Sequence, residues 1–329
     1  MYTEAFLPLK VGIVGTGYAA KKRAEALIAD KRTELVAVTG NTPERLKEFC
    51  QSFAVKAIDS WTRLINMPEL DLIIVCTINR DCSAIAKGAI LAGKHIVVEY
   101  PLTLDAKEAQ QIIELAEAHQ KLLHVEHIEI IGGLHQAVKQ CLPQIGKVFY
   151  ARYSTIRAEH PVSRSWKYHR TMFGFPLAAA LSRIHRLTDL FGTVEAVACQ
   201  NRYWDIPASD YFTACLCNAQ LNFHSGIVAE IIYGKGDVFW QSDRLLEIYG
   251  EKGSIVFTGE KGTLNVEGNK TAIPVTPRRG LFAQDTDMVL NCLLNQQPLY
   301  IEPQASLYAL QVANAALESS RLHQTVHLD

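Results

Sequence analysis

The chain has 329 residues, 48% hydrophobic and 20% charged, with 33 Lys+Arg against 34 Asp+Glu and a formal net charge of −1. That length suits two domains of roughly 120–200 residues each, and the near-neutral balance gives no electrostatic case for nucleic acid or an anionic membrane as partner. The N-terminus carries no apolar stretch of signal-peptide length and no run approaches a membrane span, so a cytoplasmic protein is the default expectation.

Residues 11–14 predict a first β-strand, which ends in Gly15-Thr16-Gly17-Tyr18-Ala19-Ala20 and passes into a helix reaching about residue 30. A glycine pattern in that strand–turn–helix context points to dinucleotide binding. Gly15 permits the tight turn, Gly17 keeps a Cβ away from the pyrophosphate, and Ala20 lets the helix pack closely on the strand. The helix N-terminus offers its N–H groups to the phosphates. A second strand is expected at 34–39, a helix at 43–53, a short strand at 55–58 and a short helix at 60–65. After the second strand stands Thr39-Gly40-Asn41-Thr42-Pro43, with no acid before Glu44 and with Arg45 next. An NAD site uses an acid there to hold the ribose 2′-OH. Its absence, with Asn41, Thr42 and Arg45 available for a 2′-phosphate, favours NADPH, with NADH the weaker cofactor.

The apolar run 72–76 predicts a strand buried on both faces, with Thr77 just beyond it on the cofactor side. A helix at 82–92, a strand at 95–98, a helix at 106–119 and a strand at 122–126 follow. Strands spaced by helices imply right-handed crossovers and a parallel sheet. From 148 onward the character changes. Alternating runs at 148–156, 196–201, 211–223, 226–232, 244–249, 253–258 and 262–266 predict a large, mostly antiparallel sheet, with hairpin signals at 251–253 and 260–262. One helix is expected at 176–191 and two more at about 283–295 and 303–322. The fold class is therefore α/β: an N-terminal Rossmann dinucleotide-binding domain, residues 1–125, and a C-terminal α+β domain, residues 126–329, with the last helix packed at their junction. The eight cysteines are scattered. Cys215-x-Cys217 lacks a second pair or histidines at ligand spacing, so buried free thiols are expected and no metal site.

The segment 92–102, AGKHIVVEYPL, puts Glu99, Tyr100 and Pro101 beyond the fifth strand, the edge where an open parallel sheet takes its ligand. Together with the glycine loop, the Gly-Lys-Val entry at 146–148 and the later sheet, it resembles the Gfo/Idh/MocA oxidoreductases over essentially the whole chain. The resemblance has informative departures. Sugar-oxidising members of that family move protons with the lysine of a Glu-Lys-Pro element and with an Asp and a His on the central helix of the second domain. Here Tyr100 replaces the lysine. His185 and Asp189 stand at the family spacing, but Leu181 occupies the acid position and Arg183 a usual glycine position. The segments VEYPLTL (98–104), HVEHIEI (124–130), FGFP (173–176) and SRIHRLTDLFG (182–192) are similar to the branch of the family that reduces biliverdin to bilirubin.

That resemblance implies NADPH-dependent hydride transfer to the central methine bridge of a linear tetrapyrrole, with biliverdin as the small-molecule partner. It implies a catalytic Arg183, which polarises a lactam oxygen or holds a proton-carrying water, since a guanidinium with a pKa above about 12 is a poor direct acid. Tyr100 is the second catalytic candidate, as hydrogen-bond donor or stacking surface, and Glu99 serves the nicotinamide end. Glu126 and His127, just past the last parallel strand, are expected against the substrate. Arg186, Lys167, His169 and Arg170 are expected to supply cations for its two propionates. Strand alternation keeps Glu126, His127 and Glu129 from all meeting one ligand, so a structural hydrogen bond is expected of at least one. The rival readings are a sugar or inositol dehydrogenase of the same family and a non-catalytic nucleotide-binding regulator. A monomer and a homo-oligomer are both compatible with the sequence.

Overall fold

The computed structural model describes residues 8–328. The chain forms two compact units. One is the chain up to Ile128 together with Arg279–Leu307, and the other is Glu129–Arg278 with the chain from Tyr308 onward. The chain thus returns to the first unit late in its course, which a single division at 125/126 does not describe.

In the first unit, β1 (Leu9–Val14), α1 (Tyr18–Ala29), β2 (Thr33–Thr39), α2 (Pro43–Phe53), β3 (Lys56–Ala57), α3 (Trp61–Ile65), β4 (Leu72–Val75), α4 (Cys82–Leu91), β5 (His95–Glu99), α5 (Ala106–Ala118) and β6 (Leu123–Glu126) follow one another. The six strands are parallel, in the order β3-β2-β1-β4-β5-β6, the doubly wound dinucleotide-binding arrangement. Val11, Ile13, Leu72, Ile74 and Val97 form a buried core with Ala20, Ala24 and Leu27 of α1. The small side chains at 20 and 24 let the helix approach. Register aligns the carboxyl ends: Val14 pairs with Thr39 and Val75, Val75 with Val98, and Glu99 with Glu126. The residues that follow each strand therefore share one edge of the sheet.

The second unit opens with α6 (Ile128–Ile131), at the boundary, and α7 (Gly133–Cys141), which lay hidden behind Gly132-Gly133 in the sequence. It continues through β7 (Val148–Ala158), α8 (Arg170–Phe173), α9 (Pro176–Ala179), α10 (Ser182–Phe191), β8 (Val194–Asp205), β9 (Phe212–Phe223), β10 (Val228–Gly236), β11 (Asp243–Gly250), β12 (Gly253–Thr258), β13 (Lys261–Val266) and β14 (Asn269–Ile273). The helix expected at 176–191 is two helices. Ala180, at φ −105° and ψ 38°, leaves the helical region and resets the phase, so that α10 buries Ile184, His185, Arg186 and Leu187 together. After β14 come α11 (Leu281–Asn295), part of the first unit, α12 (Pro303–Leu322) and β15 (Val326–His327). The second sheet has nine strands in the order β14-β13-β12-β11-β7-β10-β9-β8-β15. Only β7 and β10 pair in parallel. Among the described residues no helix is long and apolar enough to cross a membrane. No group of three or more His, Cys, Asp or Glu among them is placed to hold a metal. All eight cysteines are free thiols.

Candidate active site

The carboxyl edge of the parallel sheet presents the glycine turn. Gly15 has φ +122°, and a Cβ there would lie 2.1 Å from the carbonyl oxygen of Cys76, so the turn passes too close to the neighbouring strand for any side chain. Gly17 is different: a Cβ built on it meets nothing within 4 Å. It caps α1 in an extended conformation without a capping side chain, leaving the first-turn N–H groups for an anion. Thr16 packs against Gly40, whose Cβ would come within 2.8 Å of its methyl. Ala19 is half-buried and Ala20 buried, whereas Tyr18 is exposed and meets Phe282 of α11 edge to face. Beyond β2, Asn41, Thr42 and Arg45 are exposed, and Thr77 is half-buried beyond β4. An open cradle at Gly17, and a second strand end followed by Asn41 and Thr42 with Arg45 nearby and no acid before Glu44, fit a dinucleotide carrying a 2′-phosphate.

Glu99 and Tyr100 continue the same edge, and what lies beneath them was not legible in the sequence. Arg23 of α1 is 0% exposed. Its Nε donates to Glu99 Oε1 at 2.8 Å, and its Nη1 donates to Asp285 and, at 3.0 Å, to Thr286 Oγ1. Asp285 Oδ1 also accepts from the Tyr300 hydroxyl at 2.6 Å and lies 2.8 Å from His124 Nε2. Burial resists ionisation of Asp285, but Arg23 and His124 outweigh it and hold the carboxyl well below the usual range. Glu126 goes the other way. Burial first, then the neighbouring Glu99 and Asp285, raise its pKa well above 4.5, the direction that favours its protonated form.

Glu126 and His127 are 2% and 0% exposed, and this departs from the expectation that they face a substrate. Glu126 Oε1 accepts the Ile128 N–H at 2.5 Å, and His127 Nε2 lies 3.0 Å from Ser306 Oγ. Strand alternation could not foresee that helices from the far end of the chain cover this edge. The His127 ring stacks on Tyr100 with centroids 5.3 Å apart and planes 4° from parallel.

In the second unit, α10 carries the remaining candidates. Arg183 is half-buried. Its Nη1 donates to Ser182 Oγ at 3.1 Å, and its guanidinium carbon lies 5.5 Å from the Tyr233 ring centroid. Arg186 is buried rather than open to a propionate. Its Nη2 donates to Glu129 Oε2 at 2.9 Å, and Arg278 also pairs with Glu129. Burial works to raise Glu129, but Arg186, Arg278, Arg244 and Arg183 bring its pKa below the usual value. Asp189, one turn beyond His185 on α10, is taken by His135 Nε2 at 2.6 Å and Lys139 at 3.0 Å. His185 is buried, which drops its pKa to about 4. Neither is placed as a free acid or base at neutral pH.

The remaining cations lie along the segment before α9. Lys167 is exposed. His169 caps α8 and meets Tyr211 edge to face. Arg170 pairs with Asp205 and lies 3.3 Å over the Tyr203 ring. Sequence reasoning missed Lys235, whose ammonium sits 3.2 Å from the Phe173 ring centroid and donates to the Lys167 carbonyl. Burial takes its pKa down to about 7. The signal available was a lysine after the apolar stretch Ile231-Ile232-Tyr233-Gly234 near the end of β10.

Comparison with known proteins agrees with this geometry. Residues 9–127 match the Gfo/Idh/MocA description "Oxidoreductase family, NAD-binding Rossmann fold", and residues 139–328 match its "C-terminal alpha/beta domain". A biliverdin reductase from Synechocystis sp. PCC 6803, solved in complex with biliverdin and NADP+, is 51% identical. Its TM-score is 0.94, over 95% of this chain and 99% of that one. Mouse biliverdin reductase A is 25% identical over 95% of this chain and 97% of its own length. An uncharacterized Escherichia coli oxidoreductase is 34% identical, but that likeness spans only 48% of this chain and 46% of the relative.

Proposed function

The chain belongs to the Gfo/Idh/MocA oxidoreductase family, and we propose that within it the protein reduces biliverdin to bilirubin with NADPH. The observation that carries this reading is the likeness to the Synechocystis biliverdin reductase along nearly the full length of both chains. The local chemistry supports it. Positions where sugar-oxidising relatives keep proton-transfer groups hold Tyr100 and the buried Leu181, and Asp189 is committed to His135 and Lys139.

The reaction adds a hydride to the central methine carbon and a proton to a neighbouring pyrrole nitrogen. When bound, NADPH supplies the hydride. The turn at Gly15, Thr16, Gly17 and Tyr18, with Ala19 and Ala20 opening α1, holds the pyrophosphate. Asn41, Thr42 and Arg45 hold the 2′-phosphate, and Thr77 and Glu99 serve the nicotinamide side. Arg183 stabilises negative charge developing on the bilin, or orders the water that brings the proton, because its own proton is too tightly held to give. Tyr100 offers its ring face and hydroxyl to the substrate. Lys167, His169 and Arg170 bind propionates, while Arg186 acts through Glu129.

The test is a comparison of turnover. With NADPH and biliverdin the protein is expected to give bilirubin at a kcat/KM far above that for any inositol or sugar with NADP+. Efficient alcohol oxidation without biliverdin turnover would return the protein to the sugar-oxidising part of the family. NADPH binding without turnover of either would make it a nucleotide-binding regulator.

A further inference from the structure

The buried guanidinium of Arg23 begins two separate routes to Tyr100, both within the first unit. The shorter runs from Nε to Glu99 Oε1, at 2.8 Å, and then through the peptide bond to Tyr100. The longer runs from Nη1 to Asp285, then to the Tyr300 hydroxyl, which donates to Asp285 Oδ1 at 2.6 Å and accepts the His127 N–H at 3.0 Å. From His127 it passes to Tyr100 through the parallel ring stack. The six residues close a ring. Thr286, His124 and Ser306 brace it from outside, by contacts of 3.0, 2.8 and 3.0 Å to Arg23, Asp285 and His127.

Such an assembly is a poor way to gain stability. A buried ion pair loses several kcal/mol per ion in desolvation, and well-packed apolar residues often serve as well or better. Joining α1 to α11 would need only the Arg23–Asp285 contact. The Nε arm to Glu99 and the Tyr300–His127 arm extend beyond that contact and converge on one strand end. The partners are also geometrically demanding: two carboxylates approached from different sides require the planar fork of arginine, which lysine cannot reproduce.

We infer that Arg23 is a positioning residue, and that the ring it closes with Glu99, Tyr100, His127, Tyr300 and Asp285 fixes the orientation of Tyr100 for hydride transfer. The inference rests on the reading of Tyr100 and Glu99 as the residues facing nicotinamide and bilin. Its consequence is that a change buried beneath the site alters the chemical step and leaves cofactor affinity alone. Misplacing a reacting group by about 1 Å costs up to roughly a hundredfold in rate.

Two variants test it. Arg23→Lys keeps the charge but not the fork. Tyr300→Phe keeps the ring volume and cuts the longer route at both hydrogen bonds. Each is measured as folded protein for kcat, for the KM of biliverdin, for NADPH dissociation by nucleotide fluorescence, and for the His127 ring proton shifts. Tyr100→Leu provides the His127 shifts that mark a lost stack. The expected result for both is a kcat lowered roughly tenfold to a hundredfold, NADPH affinity within about twofold of wild type, and His127 resonances displaced toward the Tyr100→Leu positions. If Arg23→Lys does not fold, Tyr300→Phe alone decides. Unchanged kcat and unchanged His127 shifts in a folded variant would overturn the inference. Displaced His127 shifts in a protein that never reduces biliverdin would sustain the ring and refute the proposed reaction instead.

Discussion

At the scale of single residues, the account depends on where charge is fixed and where it is neutralised. Arg183 should act in the transition state more than in substrate binding. An interaction of that kind lowers kcat when removed, whereas a uniform propionate contact raises KM. Loss of one preorganised electrostatic contact typically costs about 2.7–4 kcal/mol, roughly a hundredfold to a thousandfold in rate. Arg183→Ala and Arg183→Lys are therefore both expected to lose most of kcat with NADPH binding nearly unchanged, and steady-state kinetics will separate the two parameters. A wild-type kcat with a raised KM would make Arg183 a propionate clamp. In the proposed function, cofactor choice rests on the exposed residues beyond β2. Asn41→Asp should shift preference toward NADH and Arg45→Ala should narrow the NADPH advantage, read as the ratio of kcat/KM values. Glu126 gives a pH prediction with a definite sign. Its folded pKa lies well above its ordinary 4.5, so the folded protein binds a proton the unfolded chain has released. The contribution is complete below about pH 4.5 and is lost as pH rises through the folded value. Glu126→Gln should keep the acceptor for the Ile128 N–H, raise stability at neutral and alkaline pH, and flatten the melting temperature against pH. A variant whose profile parallels wild type would show that Glu126 is ionised in the fold.

Among the elements, the β1–α1 turn separates folding from binding at two glycines two residues apart. Gly15→Ala places a Cβ 2.1 Å from the Cys76 carbonyl oxygen at a positive φ, a combination of clash and backbone strain costing about 1–3 kcal/mol or more. Gly17→Ala enters open space at an ordinary φ of −79°. The first should melt lower. The second should melt as wild type yet bind NADPH at least about tenfold more weakly, a loss of roughly 1.4 kcal/mol. Thermal melts and nucleotide titrations distinguish them, and equal cofactor affinity for Gly17→Ala and wild type would remove the pyrophosphate from this turn. The turn was legible because its signal is local: a β-branched strand, glycines at fixed offsets, and a helix. The same holds for β4, where four apolar residues are buried on both faces, and for the β11–β12 hairpin. Elements whose reason lies elsewhere were not legible. Helix α7 starts at Gly133, where a Cβ would lie 2.4 Å from the Thr276 carbonyl, so a glycine that reads as a loop is required by close packing. The ring beneath Tyr100 joins Arg23 to Asp285, 262 residues apart, and no periodicity reports such a pair. Glu126 and His127 were placed at the right strand end and given the wrong neighbours, because the covering residues Tyr300 and Ser306 come from the last tenth of the chain.

For the whole molecule, the two units divide the residues proposed for the reaction. The first holds the glycine turn, the Asn41–Arg45 segment proposed to take the 2′-phosphate, and the braced Glu99–Tyr100 edge. The second holds Arg183 and the cationic segment anchored by Lys235, with the buried Leu181 at the family's acid position and Asp189 paired with His135 and Lys139. Together they support the proposed reading of a family member that delivers hydride to biliverdin rather than taking it from an alcohol. The most direct measurement is the fate of the hydride itself. NADPH carrying deuterium on the transferring face of the nicotinamide is mixed with protein and biliverdin, and the product is examined by mass spectrometry and NMR. The account predicts one bilirubin per NADPH consumed, with the deuterium at the central methine bridge. Bilirubin without deuterium at that carbon, or NADPH oxidation with biliverdin left intact, would contradict it.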